Sequence, residues 1–84
     1  MAKAKFSSEY KRLCALLVQA RESAGLRQID VAERLTQPQS YVSKVELGER
    51  RLDVVEFLEF VRAIDADPIR IIRAVRKKQP SKGP

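Results

Sequence analysis

The 84-residue chain has no histidine, no tryptophan and one cysteine, Cys14. With so few of these groups it cannot assemble a Cys/His zinc site, a Cys-His or Ser-His-Asp catalytic set, or an intramolecular disulfide. Carboxylate pairs remain, but so small a domain has little concave volume in which to desolvate a substrate and shift a carboxylate pKa. No enzyme activity, cofactor, metal or small-molecule ligand is therefore expected. A long uncharged apolar run is also missing, which argues against a membrane span or a membrane partner. Ser7, Ser8 and Glu9 follow the basic start at the point where a signal peptide would need its apolar stretch, so a cytoplasmic location is expected. Gly and Pro are scarce, at three and four, and a 44% hydrophobic composition is too apolar for a disordered chain. What fits is a single small domain, since a chain of this length buries only about 60–65% of the surface that it exposes when unfolded.

Acid is scarce at both ends. Residues 1–12 hold four Lys/Arg against Glu9, residues 70–84 hold six with no acid, and the stretch between has seven bases against ten acids. The net charge of +6 is thus terminal, which suits contact with a polyanion as well as it suits a solubilising end.

From Tyr10 onward the apolar spacing is helical. Tyr10, Leu13, Leu17, Ala20 and Ala24 step by three or four, with Ser7 or Ser8 as cap and Gly25 as terminator. A second helix is expected over Gln28 to Leu35, with Val31, Ala32 and Leu35 on one side. Thr36-Gln37-Pro38 interrupts it, and Pro38 fits the first turn of a third helix running to Leu47, with Gly48 as its stop. Asp53 is the expected N-cap of a fourth helix that carries Val54, Phe57, Leu58, Val61 and Ile64 inward. A fifth helix, Pro68 to Lys77, presents Ile69, Ile72 and Val75 at helical spacing. No segment alternates with period two, so the expected fold class is all-α. The expected division is a basic N-terminal arm over 1–7, a helical domain over 8–78 and a disordered tail over 79–84.

Two short helices joined by about three residues have the proportions of a helix-turn-helix. Val42, Val45 and Glu46 lie inward on the third helix, which leaves Gln39, Ser40, Ser43 and Lys44 contiguous outside. An ordinary solvated face mixes Glu with Lys; this one has no acid. Its amide, hydroxyl and ammonium groups are those that read base edges in a major groove. Arg21 also occupies an inward phase of its own helix. Two opposite charges on buried stripes imply each other, so Arg21 and Glu46 are expected to form a buried pair.

The run Gln28-x-x-x-Ala32, then Pro38-Gln39-Ser40-Tyr41-Val42-Ser43-Lys44-Val45-Glu46-x-Gly48-Glu49-Arg50, resembles the Cro/CI-type helix-turn-helix of the xenobiotic-response-element (XRE) family of bacterial and phage repressors. The resemblance covers about residues 13–75. It implies a five-helix, lambda-repressor-like DNA-binding domain, in which helices two and three form the helix-turn-helix and which works as a symmetric homodimer on a palindromic operator in double-stranded DNA. Gln39, Ser40 and Lys44 match the family's base-reading positions, Ser43 shares their face, and Arg21 and Glu46 match its buried ion pair. Gln28 matches its positioning Gln, and Arg27, Tyr41, Arg50 and Arg51 join it as expected phosphate-contacting or positioning residues. Three positions depart from the pattern: Arg27 replaces the usual Ser or Thr cap, Thr36 the common Gly, and Gln37 a usually apolar residue. The competing expectation is a helical protein-interaction module, such as an antitoxin or phage adaptor. The apolar set Val55, Phe57, Phe60, Ile64, Ile69, Ile71, Ile72 and Val75 supports it, being wider than one face of each terminal helix needs.

Overall fold

Side-chain acceptors at the N-cap relieve the unpaired N–H groups of the first turn in the first and fourth helices, while the second and third begin at an extended N-cap that has no such bond. In the computed structural model, which describes residues 7–76, α1 spans Ser8–Ser23 and is capped by Ser7, whose hydroxyl accepts from the Tyr10 N–H at 3.1 Å. It closes through Gly25 at φ +75°, with the Leu26 N–H returning to the Arg21 carbonyl at 3.1 Å. α2 spans Gln28–Leu35. Its N-cap, Arg27, supplies no side-chain acceptor; instead Asp30 reaches back and accepts from the Arg27 backbone N–H at 2.7 Å. α3 spans Gln39–Leu47, with Pro38 as its extended N-cap rather than a residue of its first turn. Pro38 sits at ψ 157°, outside the helical region, so the helix starts one residue later than the sequence suggests.

α4 spans Val54–Ala63 behind a reciprocal cap. Asp53 accepts from the Glu56 N–H at 2.7 Å while Glu56 accepts from the Asp53 N–H at 3.0 Å. α5 spans Pro68–Arg76, led by Asp67, whose carboxylate accepts from the Ile69 N–H at 2.9 Å. No strand occurs among the described residues, and the class is all-α with five helices. Residues 1–6 of the expected arm, the expected tail over 79–84, and Lys77 at the expected end of α5 lie outside the described residues.

α1 packs on α3 and α5, α2 on α3 and α4, and α4 on α5. The shared core is Leu17, Val31, Val42, Val45, Phe60, Val61 and Ile64, all fully buried. Cys14 is buried beside it, and its thiol donates to the Val45 carbonyl at 3.5 Å. Burial pushes the Cys14 thiol pKa up.

The apolar phase of the last two helices differs from the sequence expectation. Val54 and Leu58 do not point inward: they are 74% and 41% exposed, and the buried stripe of α4 is Phe57, Phe60, Val61 and Ala63. On α5 the buried residue is Ile71, whereas Ile69 and Ile72 stay about half exposed. Ala24 is likewise exposed, because it lies in the C-cap of α1 and not in its packed stretch. In each case the helix has more apolar positions than its neighbours cover. Two of the uncovered ones, Val54 on α4 and Ile72 on α5, line an apolar groove of about 280 Å³ together with Leu13, Leu52, Phe57 and Val75.

Candidate nucleic-acid interface

The turn between α2 and α3 is set by Thr36, which takes the left-handed conformation at φ 57°, ψ 46°. This lets the Gln37 N–H return to the Ala32 carbonyl at 2.9 Å and swings α3 across α2. Val42 and Val45 then enter the core with no exposed surface, and the rest of α3 has its direction decided for it. Gln39, Ser40 and Lys44 are exposed and Ser43 is half-buried beside them. Glu46, the acid within α3, is turned inward to Arg21. Leu47, at 68% exposure, ends the helix as an uncovered apolar side chain that polar patterning does not explain.

Arg21 and Glu46 meet in a fork, Nε to Oε2 at 2.6 Å and Nη2 to Oε1 at 3.2 Å, with side-chain exposures of 11% and 5%. The third direction of the guanidinium is used too: Nη1 donates to the Leu26 carbonyl at 2.8 Å. The pair therefore ties α1, the α1–α2 connection and α3 together, and the hydrogen bonds that Arg21 donates to Glu46 push the Arg21 pKa further up. Gln28, at the start of α2, joins the same carboxylate, its Nε2 donating to Glu46 Oε1 at 2.9 Å. Gln39 Nε2 donates in turn to Gln28 Oε1 at 3.3 Å. A continuous path of side-chain hydrogen bonds thus runs from the buried ion pair to the first outward residue of α3. Residue spacing alone does not reveal it, because Gln28 and Gln39 stand on different helices.

The basic residues around this face are not alike. Arg27 is 78% exposed at its side chain and grips Asp30 at 2.9 and 3.1 Å, which lowers the Asp30 pKa to about 2. Arg50 is held by Glu56 at 2.6 and 3.2 Å and lies 5.2 Å over the Tyr41 ring. Arg51 lies 4.1 Å over the Tyr10 ring. Tyr41 itself packs half-buried against the core, and burial raises its pKa. The structure thus gathers Gln28, Gln39, Arg21 and Glu46 into one network and Tyr41 with Arg50 into another, while Arg51 stands on Tyr10. Asp30 and Glu56, which engage two of the expected phosphate contacts, carry a legible signal: each is an acid three residues after a helix N-cap.

A family model described as a helix-turn-helix domain matches residues 12–71. A solved structure of an XRE-family like protein from Pseudomonas syringae pv. tomato str. DC3000 is 45% identical, with a TM-score of 0.81, covering 87% of this chain and 89% of that chain. The chain belongs to the XRE-type helix-turn-helix family. No curated protein matches it.

As an XRE-type domain it is a DNA-binding regulator, built as five helices with α2 and α3 forming the helix-turn-helix. Among the described residues, no helix is long and apolar enough to cross a membrane, and no group of three or more His, Cys, Asp or Glu is placed to hold a metal ion.

Proposed function

We propose that the protein is a sequence-specific transcriptional repressor that inserts α3 into the major groove of a palindromic operator as a homodimer. The observation that carries this is the outward face of α3: Gln39, Ser40, Ser43 and Lys44 form an acid-free patch of amide, hydroxyl and ammonium groups. Gln39, Ser40 and Lys44 are the base readers, with Ser43 on the same face, while Arg27, Gln28, Tyr41, Arg50 and Arg51 contact phosphates or position the helices on them, Arg27 and Arg50 from within their ion pairs to Asp30 and Glu56. The acids Asp53, Glu56, Glu59, Asp65 and Asp67 lie on and around α4, so their repulsion of DNA favours encounters that present α3. The exposed Val54, Val55, Leu58, Ile69 and Ile72 favour a second copy on α4 and α5. Two copies related by a two-fold would read half-sites about 10–11 base pairs apart. The same apolar surface is what favours the rival role as a protein-interaction module.

Selection from randomised duplex DNA followed by alanine variants tests this. Lys44→Ala should lower affinity for the selected site by about 1–3 kcal/mol and affect random DNA much less. Arg51→Ala should weaken both and flatten the slope of log affinity against log salt by about one unit, since a phosphate contact releases counterions and carries no sequence information. Recovery of a site without two-fold symmetry would remove the dimer on DNA, and a light-scattering mass of 9.6 kDa at tens of micromolar would remove a dimer formed before binding. Unchanged site preference in every α3 variant would hand the function to the interaction module.

A further inference from the structure

The hydrogen-bond path from Arg21 to Gln39 has a direction. A carboxylate can only accept, so the edge of Gln28 that meets Glu46 Oε1 at 2.9 Å is its amino group. The Gln28 carbonyl is thereby turned toward Gln39, which meets it with an N–H at 3.3 Å. What remains of the Gln39 amide is one N–H beside the carbonyl oxygen. One donor next to one acceptor complements N7 and the N6 amino group of adenine. Were the path reversed, the Gln39 carbonyl would be taken up by Gln28, and only N–H groups would face outward. Those complement the paired acceptors N7 and O6 of guanine.

We infer that Glu46 is a specificity-determining positioning residue: by accepting from Gln28 it orients the amide of Gln39 and selects adenine over guanine at the base that Gln39 meets. The inference rests on the reading that Gln39 contacts a base. Glu46→Gln is the informative change because it keeps size while removing the charge and turning one of the two acceptor oxygens into a donor. Its carbonyl is drawn to the shorter Arg21 contact, the 2.6 Å bond at Oε2, which places the new amino group at the Oε1 position facing Gln28. Gln28 then has to turn its carbonyl to residue 46, and Gln39 turns over with it.

The experiment uses the full chain and duplexes recovered by the wild-type protein from randomised DNA. Gln39→Ala first locates the contacted base, as the position where preference collapses. Duplexes differing only by A·T or G·C at that position are then compared by competition, each protein against itself, so that any loss of folded protein cancels in the ratio. Wild type should prefer adenine on the order of tenfold. Glu46→Gln should invert that ratio or bring it to near one, and Gln28→Met, which breaks the path without charge, should bring it to near one. An adenine preference retained at the wild-type level in both variants overturns the role of Glu46 and leaves Gln39 as a base reader. A Gln39→Ala variant with the wild-type preference at every position overturns the base contact itself, and the inference with it.

Discussion

Glu56 holds the Arg50 guanidinium with both carboxylate oxygens, at 2.6 and 3.2 Å, just past the end of α3. The same Glu56 caps α4, so the charge of Arg50 is spent on fixing where α4 begins relative to Tyr41. Phosphate would have to compete with a carboxylate already in a forked geometry. Arg50→Ala should therefore change the salt slope of DNA binding by clearly less than one unit. Glu56→Gln, which keeps the cap acceptor and releases the guanidinium, should tighten binding to random DNA and steepen that slope by up to about one unit. Fluorescence anisotropy across a salt series measures both.

Removing either member of the Arg21–Glu46 pair leaves the other charge in a site where the two side chains are 11% and 5% exposed. Arg21→Ala or Glu46→Ala should each lower unfolding free energy by about 2–5 kcal/mol, most of it the cost of the stranded partner. Urea denaturation followed by circular dichroism reads the loss. A cost under about 1 kcal/mol in both would show that water solvates the pair as well as the protein does.

Asp30 gives a pH signature. Its folded pKa of about 2 lies below the ordinary 3.8, chiefly through the Arg27 side chain and then the Arg27 backbone N–H. The unfolded chain thus holds that proton more tightly, so the contribution of Asp30 to stability is complete above about pH 4 and drains away as pH falls toward 2. Carboxyl chemical shifts should show Asp30 titrating near 2, and Arg27→Ala should move that midpoint up toward 3.8.

Thr36 is a β-branched residue in the left-handed region at φ 57°, a conformation that costs such a side chain about 1–2 kcal/mol. Glycine relieves the clash but gives back part of the gain through its freer unfolded chain. Thr36→Gly should thus stabilise the fold by about 0.5–1 kcal/mol in thermal or chemical denaturation, with the recognition turn unchanged. Gly48 is the converse case. Its φ is +83°, and an added Cβ would meet Cys14 Sγ at an unstrained 3.7 Å, so Gly48→Ala should cost about 1 kcal/mol through backbone angle alone.

The positions of the helices are legible in the residue order to within about one residue, because their ends are local events. Ser7, Gly25, Gly48 and Asp53 act on backbone groups within a few residues, and those contacts form whatever the rest of the chain does. The outward polar face of α3 was legible for a related reason: Val42 and Val45 are the apolar residues that give that helix its phase. Which apolar stripe of α4 is covered depends on the packing of its neighbours. Val54 and Leu58 have helical spacing as good as that of Phe57 and Val61, and only the placement of α2 and α5 turned the Phe57, Phe60 and Val61 side inward. Packing also decided which arginines are committed to carboxylates, and it brought Gln28, Gln39 and Glu46 into line across two helices. Hydrophobic periodicity specifies that a face is buried, but a hydrogen bond needs two groups placed to within about half an ångström, and that precision comes from packing between segments distant in the chain.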